Sequence, residues 1–163
     1  MKEIAFIDLE ASGLDARSWP IEVGWCFPDG RPQSFLIKPA ADWAMEAWDE
    51  KAEALHGITR RVLDLQGDAP KAICAALNDA LTGLTVYSDA PDWDGFWLYR
   101  LFESGGVKMA FVLSDFSEIL RDVAPEEFDG LVAEASKIAP HRHRTNDDVL
   151  HMKALYELAV NGD

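Results

Sequence analysis

The stretch that decides the fold is IAFIDLE at residues 4–10. A short apolar run that ends in acidic residues indicates a buried β-strand. Residues i and i+2 of a strand point to the same face, so the carboxylates of Asp8 and Glu10 project together. Like charges placed side by side repel each other, and each favours a nearby cation. An Asp-x-Glu pair alone is also compatible with a solvated strand end, but it predicts a site for Mg²⁺ or Mn²⁺, which prefer oxygen ligands.

The rest of the chain contains predicted strands and helices in an order that predicts an α/β fold. Two further strands, at residues 20–27 and 33–38, follow the first after short turns and extend it into an antiparallel meander. Later strands are predicted at residues 84–87 and 110–113. Helices are predicted at residues 46–56, 59–67, 70–81, 92–103, 116–123, 125–138 and 145–160. This order predicts a mixed five-stranded sheet, three antiparallel strands and then parallel ones, flanked by helices.

Length and composition suit one ordinary globular domain over residues 1–163. Apolar residues make up 48% of the chain, which excludes a disordered protein. No apolar run approaches the roughly 20 residues that span a bilayer. The N-terminal stretch lacks the basic start and long apolar run of a signal peptide, so a cytoplasmic protein is expected. Cys26 and Cys74 lie among apolar residues and are expected to be buried free thiols.

The formal net charge of −14 limits the partners that can be expected. Phosphate binding normally depends on Lys and Arg, so the charge argues against a sequence-specific duplex binder. Divalent cations can nevertheless invert the local field at a site for a polyanion. The charge is therefore compatible with an enzyme that binds a short single-stranded end of a nucleic acid.

Further acidic residues stand where they can join Asp8 and Glu10. Asp94 follows an aromatic residue just after the fourth predicted strand, at the start of a helix. Asp148 lies in the first turn of the last predicted helix, and His143 precedes it by five residues on a loop. This spacing predicts an imidazole close to a carboxylate that the helix holds in place.

Four segments of the chain follow one another in an order known from one enzyme family. They are FIDLEASGL at residues 6–14 with IEVG at 21–24, ALHGIT at 54–59, residues 86–98, and HRTNDD at 143–148. Together they resemble the DEDDh, or DnaQ-like, 3′–5′ exonucleases of the RNase H-like superfamily. The resemblance covers most of the chain and implies an RNase H-like fold.

The resemblance implies two-metal hydrolysis that releases nucleoside 5′-monophosphates from single-stranded DNA or RNA ends. Two Mg²⁺ or Mn²⁺ ions would be held by Asp8, Glu10, Asp94 and Asp148. Asp8 would be shared between the ions, and His143 would act as general base. Backbone after the first motif and the His-Gly-Ile segment would hold the terminal nucleotide. The corresponding residues here are Ala11, Ser12, Gly13, Leu14 and His56.

Several assignments stay open at the level of the sequence. The second motif usually contains His-Asn where this chain has Ser88-Asp89, so Asp89 and Asp92 are rivals to Asp94. His141 is a rival to His143, and His56 is either a nucleotide contact or a cap at a helix end. The tryptophans either stack on bases or occupy core positions, and the arginines either contact phosphates or are solvated charges. These residues are Trp43, Trp48, Trp97, Arg60, Arg61, Arg142 and Arg144.

An alternative function is a catalytically silent module, on the same fold, that binds nucleic acid or a protein. The altered second motif favours it, and the complete set of acids opposes it. The resemblance also allows a homodimer, and no membrane partner is expected.

Overall fold

The fold is built on one mixed β-sheet. A computed structural model describes residues 4–161, so residues 1–3 and 162–163 of the predicted domain lie outside the described part. Within the described residues the strands are β1 Ile4–Ala11, β2 Pro20–Cys26, β3 Gln33–Leu36, β4 Thr85–Ser88 and β5 Val112–Asp115. The spatial order is β3-β2-β1-β4-β5. The β1–β2 and β2–β3 pairs are antiparallel, and the β1–β4 and β4–β5 pairs are parallel. The predicted mixed five-stranded sheet is confirmed.

Helices cover both faces of the sheet. They are α1 Glu50–His56, α2 Arg60–Gln66, α3 Pro70–Leu81, α4 Pro91–Gly105, α5 Pro125–Ile138 and α6 Thr145–Asn161. Gly57 and Gly106 end α1 and α4 with φ of 70° and 67°, which a residue without Cβ adopts without strain. The Thr59 hydroxyl accepts a hydrogen bond from the Val62 amide and so caps α2.

Besides small shifts at the ends of other elements, three predicted elements differ from the structure in kind or position. The helix predicted at 46–56 is a 3₁₀ turn at Met45–Ala47 followed by α1, because Asp49 is extended and caps α1 through the Lys51 amide. The helix predicted at 116–123 is only a 3₁₀ turn at Phe116–Glu118. The strand predicted at 110–113 lies two residues later, since Val112 to Asp115 are the residues that pair with β4.

Side chains of β1 alternate between two separate cores. Ile7 and Leu9 pack in the larger core, which includes side chains of α3 and α4, while Phe6 packs on the other face with residues of α5 and α6. Asp8 and Glu10 share the face of Phe6, as the strand period requires. Cys26 and Cys74 are buried and free, as predicted. Across residues 4–161, no helix is long and apolar enough to cross a membrane.

Candidate active site

One group of carboxylates joins the end of β1 to the first turn of α6. Ligand atoms of Asp8, Glu10 and Asp148 lie within 4.8 Å of one another. Burial, and then the charges of Asp148 and Glu22, raise the pKa of Glu10 to about 8. Three carboxylates at this spacing repel one another in the absence of a cation, and together they offer a divalent ion several oxygen ligands.

A second group joins β1 to the end of β4 and the start of α4. Ligand atoms of Asp8, Asp89 and Asp94 also lie within 4.8 Å of one another. β1 and β4 are parallel neighbours, so their carboxyl ends open at the same edge of the sheet, where ligands bind in α/β folds. Asp92 is exposed and belongs to neither group. The structure therefore brings Asp8, Glu10, Asp94 and Asp148 together, and it adds Asp89.

Asp8 belongs to both groups and has an unpaired oxygen. The residue is only 7% exposed, and Oδ2 is buried without a hydrogen-bond partner in the described chain. Burial raises the pKa of Asp8 well above its usual range, and the Asp94 and Glu10 charges raise it further. A buried polar atom without a partner is costly. A divalent cation would supply the missing partner, so the all-oxygen donor set fits Mg²⁺ or Mn²⁺.

Asp94 is held in place by two hydrogen bonds. Its Oδ2 accepts a hydrogen bond from the Ser88 hydroxyl at 2.5 Å, and its Oδ1 accepts one from the Leu9 amide at 3.3 Å. Burial raises the pKa of Asp94 to about 8, although the bond from Ser88 lowers it. Ser88 stands where the family motif has His, and its part in orienting Asp94 was not predicted.

The start of α6 is seated on β2, which places Asp148. A Cβ on Gly24 would lie 2.6 Å from the Thr145 side chain, so only glycine permits this approach. The buried Glu22 carboxylate accepts hydrogen bonds from the Thr145 amide at 2.9 Å and from Arg144 at 3.1 and 2.7 Å. Arg144 is thus engaged within the protein. Glu22 was also not predicted, although its position opposite Glu10 could have indicated it.

The two rival histidines have different surroundings. His141 Nδ1 lies 2.6 Å from Asp148 Oδ1, and His141 Nε2 lies 3.8 Å from Asp89. The hydrogen bond to Asp148 raises the pKa of His141, more than burial lowers it. His143 is exposed at a φ of 54°, and its ring centroid lies 5.4 Å from that of His141. Within residues 4–161 no hydrogen bond engages the His143 ring.

The predicted nucleotide-binding residues lie along a loop that Ser12 organises. Ser12 is fully buried, its hydroxyl accepts a hydrogen bond from the Trp19 amide, and its carbonyl accepts one from the Asp49 amide. Leu14 is 69% exposed, so its side chain is accessible to a ligand. Ala11, the last residue of β1, is buried, and a Cβ on Gly13 would lie 3.1 Å from the Asp49 side chain.

His56 makes the capping contact that was one of the two roles predicted for it. Its Nδ1 accepts a hydrogen bond from the Ile58 amide just beyond the end of α1, which is a capping contact. Its Nε2 is buried and has no hydrogen-bond partner in the described chain. Burial lowers the pKa of His56, so the neutral ring is favoured. The ring also lies beside the backbone of Ala11, at the end of β1.

The aromatic and basic candidates divide into internal and exposed groups. Trp43 and Trp97 are core residues, while Trp48 is half-buried and donates a hydrogen bond to Glu53. Arg60 and Arg61 are exposed. Core positions rule out base stacking by Trp43 and Trp97 in this arrangement.

No protein-family model matches the chain, and no curated protein does either. Solved structures do match. E. coli exonuclease I in complex with a dA16 oligonucleotide aligns with a TM-score of 0.73 and 17% identity over 95% of this chain and 40% of that one. The E. coli exonuclease I structure that suggests how processivity is achieved aligns at 0.71 and 19% identity, over 94% and 40%. A moderately thermophilic exonuclease I from Methylocaldum szegediense aligns at 0.57 and 18% identity, over 72% and 28%.

These likenesses concern the fold. The chain spans 40% of the length of the E. coli enzyme in most of the alignments. At identities below 20%, they establish that the chain has the RNase H-like fold of exonuclease I. That fold was predicted from the segments at residues 6–14, 54–59, 86–98 and 143–148, and by fold the likeness supports the resemblance to DEDDh exonucleases.

Proposed function

We propose that this chain is a metal-dependent 3′–5′ exonuclease that releases nucleoside 5′-monophosphates from single-stranded DNA or RNA ends. One observation carries the proposal: Asp8 is buried, is shared by two carboxylate groups, and has an oxygen without a partner. The E. coli exonuclease I structures contain dT13 and dA16 oligonucleotides, which favours single-stranded DNA as the substrate class. Activity on RNA ends and a homodimeric state stay predictions from the sequence.

Asp8, Glu10, Asp94 and Asp148 would hold two Mg²⁺ or Mn²⁺ ions. Such ions supply an activated water and stabilise the charge on the departing 3′-oxygen. His143 accepts the proton of the attacking water, because neither of its ring nitrogens is engaged by another residue of the described chain. His141 Nδ1 is instead engaged by Asp148 at 2.6 Å, so that ring is tied to a carboxylate of the proposed metal site.

The terminal nucleotide would be held by the loop after β1. Backbone of Ala11, Ser12 and Gly13 lines the approach, the exposed Leu14 packs against the last base, and the free Nε2 of His56 binds a polar group of the nucleotide. We propose further that residues 1–163 form a single exonuclease domain of a cytoplasmic protein.

The test uses 5′-labelled single-stranded DNA and RNA, incubated with the protein and Mn²⁺. We expect stepwise shortening from the 3′ end that EDTA abolishes. Asp8→Ala should abolish it as well, whereas Asp92→Asn, a change of an exposed carboxylate outside both groups, should retain it. If ample enzyme degrades neither polymer, the proposal is wrong and a silent binding module becomes the better description.

A further inference from the structure

Asp89 stands where the family motif has Asn, and it faces the acidic site. It directly follows β4, and one of its carboxylate oxygens lies within 4.8 Å of ligand atoms of both Asp8 and Asp94. Its side chain is 35% exposed, so an ion can reach it from solvent. Its one ion pair in the described chain, to His141 Nε2, is 3.8 Å long and too long for a hydrogen bond. The carboxylate is therefore free to bind a cation.

The neighbouring donor, Asp94, is already occupied on both oxygens. Ser88 donates to its Oδ2 and the Leu9 backbone donates to its Oδ1. Each carboxylate oxygen has two lone pairs, so one on each remains for an ion. An ion beside Asp94 thus has few protein oxygens unless another carboxylate contributes.

The buried oxygen of Asp8 is an independent sign of a ligand at the same place. Oδ2 has no hydrogen-bond partner within residues 4–161, and Asp8 as a whole residue is only 7% exposed. Because Asp8 is the member common to both carboxylate groups, an ion between Asp8, Asp89 and Asp94 would satisfy an atom that the protein leaves unpaired.

We propose that Asp89 is a fifth metal-binding carboxylate, so that one ion is held by Asp8, Asp89 and Asp94 and the other by Asp8, Glu10 and Asp148. The inference rests on the proposed two-metal function and goes beyond its four acids. Asp89 adds to Asp94 and does not replace it. A third carboxylate leaves fewer ligand positions for water and raises the affinity of that ion.

The first test counts bound Mn²⁺ by the electron paramagnetic resonance signal of the free ion, with affinities from calorimetry. The wild type should bind two ions. Asp89→Asn should weaken one of them by about tenfold or more, because loss of a direct ligand costs at least as much as loss of a supporting residue. The control Asp92→Asn removes the same charge three residues along the chain and should leave both affinities unchanged. Equal titrations of the two variants would overturn the proposal.

Replacing the carboxylate of Asp89 by a thiolate tests for direct metal binding, because the preference between Mn²⁺ and Zn²⁺ would not change if Asp89 had only a structural role. Asp89→Cys should lower Mn²⁺ affinity and raise Zn²⁺ affinity, since a thiolate is a soft ligand. Asp92→Cys should not change this ratio, and an unchanged ratio in Asp89→Cys would again overturn the proposal. The two hypotheses fail separately. If the wild type binds no Mn²⁺, both the two-metal function and the role of Asp89 are wrong. If the wild type is active with two ions and Asp89→Asn has unchanged Mn²⁺ affinities, only the role of Asp89 is wrong.

Discussion

The two sides of the site are built differently. Asp8 and Glu10 lie in β1, which pairs with β2 on one side and with β4 on the other. Their carboxylates are therefore positioned by the sheet itself. His141 and His143 lie in the segment 139–144 between α5 and α6, outside any helix or strand, and His143 has a left-handed backbone conformation. The carboxylate side of the site is therefore preformed, while the histidine side depends on a loop.

The largest effect is expected on the preformed side. Asp8→Asn should lower kcat by about 1000-fold, because ligand loss removes several kcal/mol of charge stabilisation in the transition state. In EDTA the same variant should unfold at a higher temperature than the wild type, since a buried like charge disappears and the new amide can donate to the remaining carboxylates. Thermal unfolding and steady-state kinetics measure the two effects. A wild-type kcat, or a lower melting temperature in EDTA, would contradict the assignment.

The next effect distinguishes the two loop histidines. His143→Asn should lower kcat by about 100-fold, the contribution of a general base. His141→Asn should lower kcat far less and should tighten Mn²⁺ binding, because His141 and the ion compete for Asp148. The measurement is kcat at saturating Mn²⁺ together with the Mn²⁺ dissociation constant. The reverse pattern would identify His141 as the base and His143 as its exposed neighbour.

The sheet side of the site could be predicted because its signals are local. The strand period places Asp8 and Glu10 on one face, and the spacing of Asp148 from the start of α6 places it in the first turn. The strand face and the helix turn are each set by residues a few positions apart in the sequence. The same is true of the prolines that stand in the first turns of α3 and α4.

The remaining parts depend on contacts between distant residues. The Leu9 amide reaches Asp94 across 85 positions, and Arg144 reaches Glu22 across 122. No local sequence pattern indicates that Ser88 orients Asp94, or that Asp89 lies close to Asp8 and Asp94. The sequence favours His143 over His141 only by its spacing from Asp148, and the direct contact of His141 with Asp148 depends on how a loop without regular structure turns.

The pH dependence of stability offers a third test of the preformed side. Burial and neighbouring charges raise the pKa values of Glu10 and Asp94 to about 8 in the folded protein, above the values of about 4 expected when unfolded. Protonation thus favours the folded state, so this stabilisation is complete below about pH 4 and is lost as the pH rises through about 8. The raised pKa of His141 acts in the same direction.

In EDTA, the melting temperature should therefore fall between about pH 5 and about pH 9, and saturating Mn²⁺ should remove most of this fall. The Asp8→Asn variant should show a shallower profile, since one source of repulsion is absent. A melting temperature that is flat or rises over this range in EDTA would mean that the carboxylates are not held close together in the metal-free protein.

The smallest effect is expected where the two sides meet, at the start of α6. Arg144→Ala removes both guanidinium hydrogen bonds from the buried Glu22 and leaves that charge opposite Glu10. It should lower the free energy of unfolding by about 2 kcal/mol, and kcat by about tenfold if Asp148 shifts. The control Arg142→Ala retains the backbone amide that donates to Asp148 and should change neither value.

A double variant shows whether the effect runs through Glu22. In Arg144→Ala with Glu22→Gln, the neutral amide still accepts from the Thr145 amide but no longer needs a counter-charge. The double variant should therefore be destabilised by less than the two single changes together. Strict additivity in chemical denaturation would mean that Arg144 acts independently of Glu22, and that the loop side of the site is not anchored to the sheet through this pair.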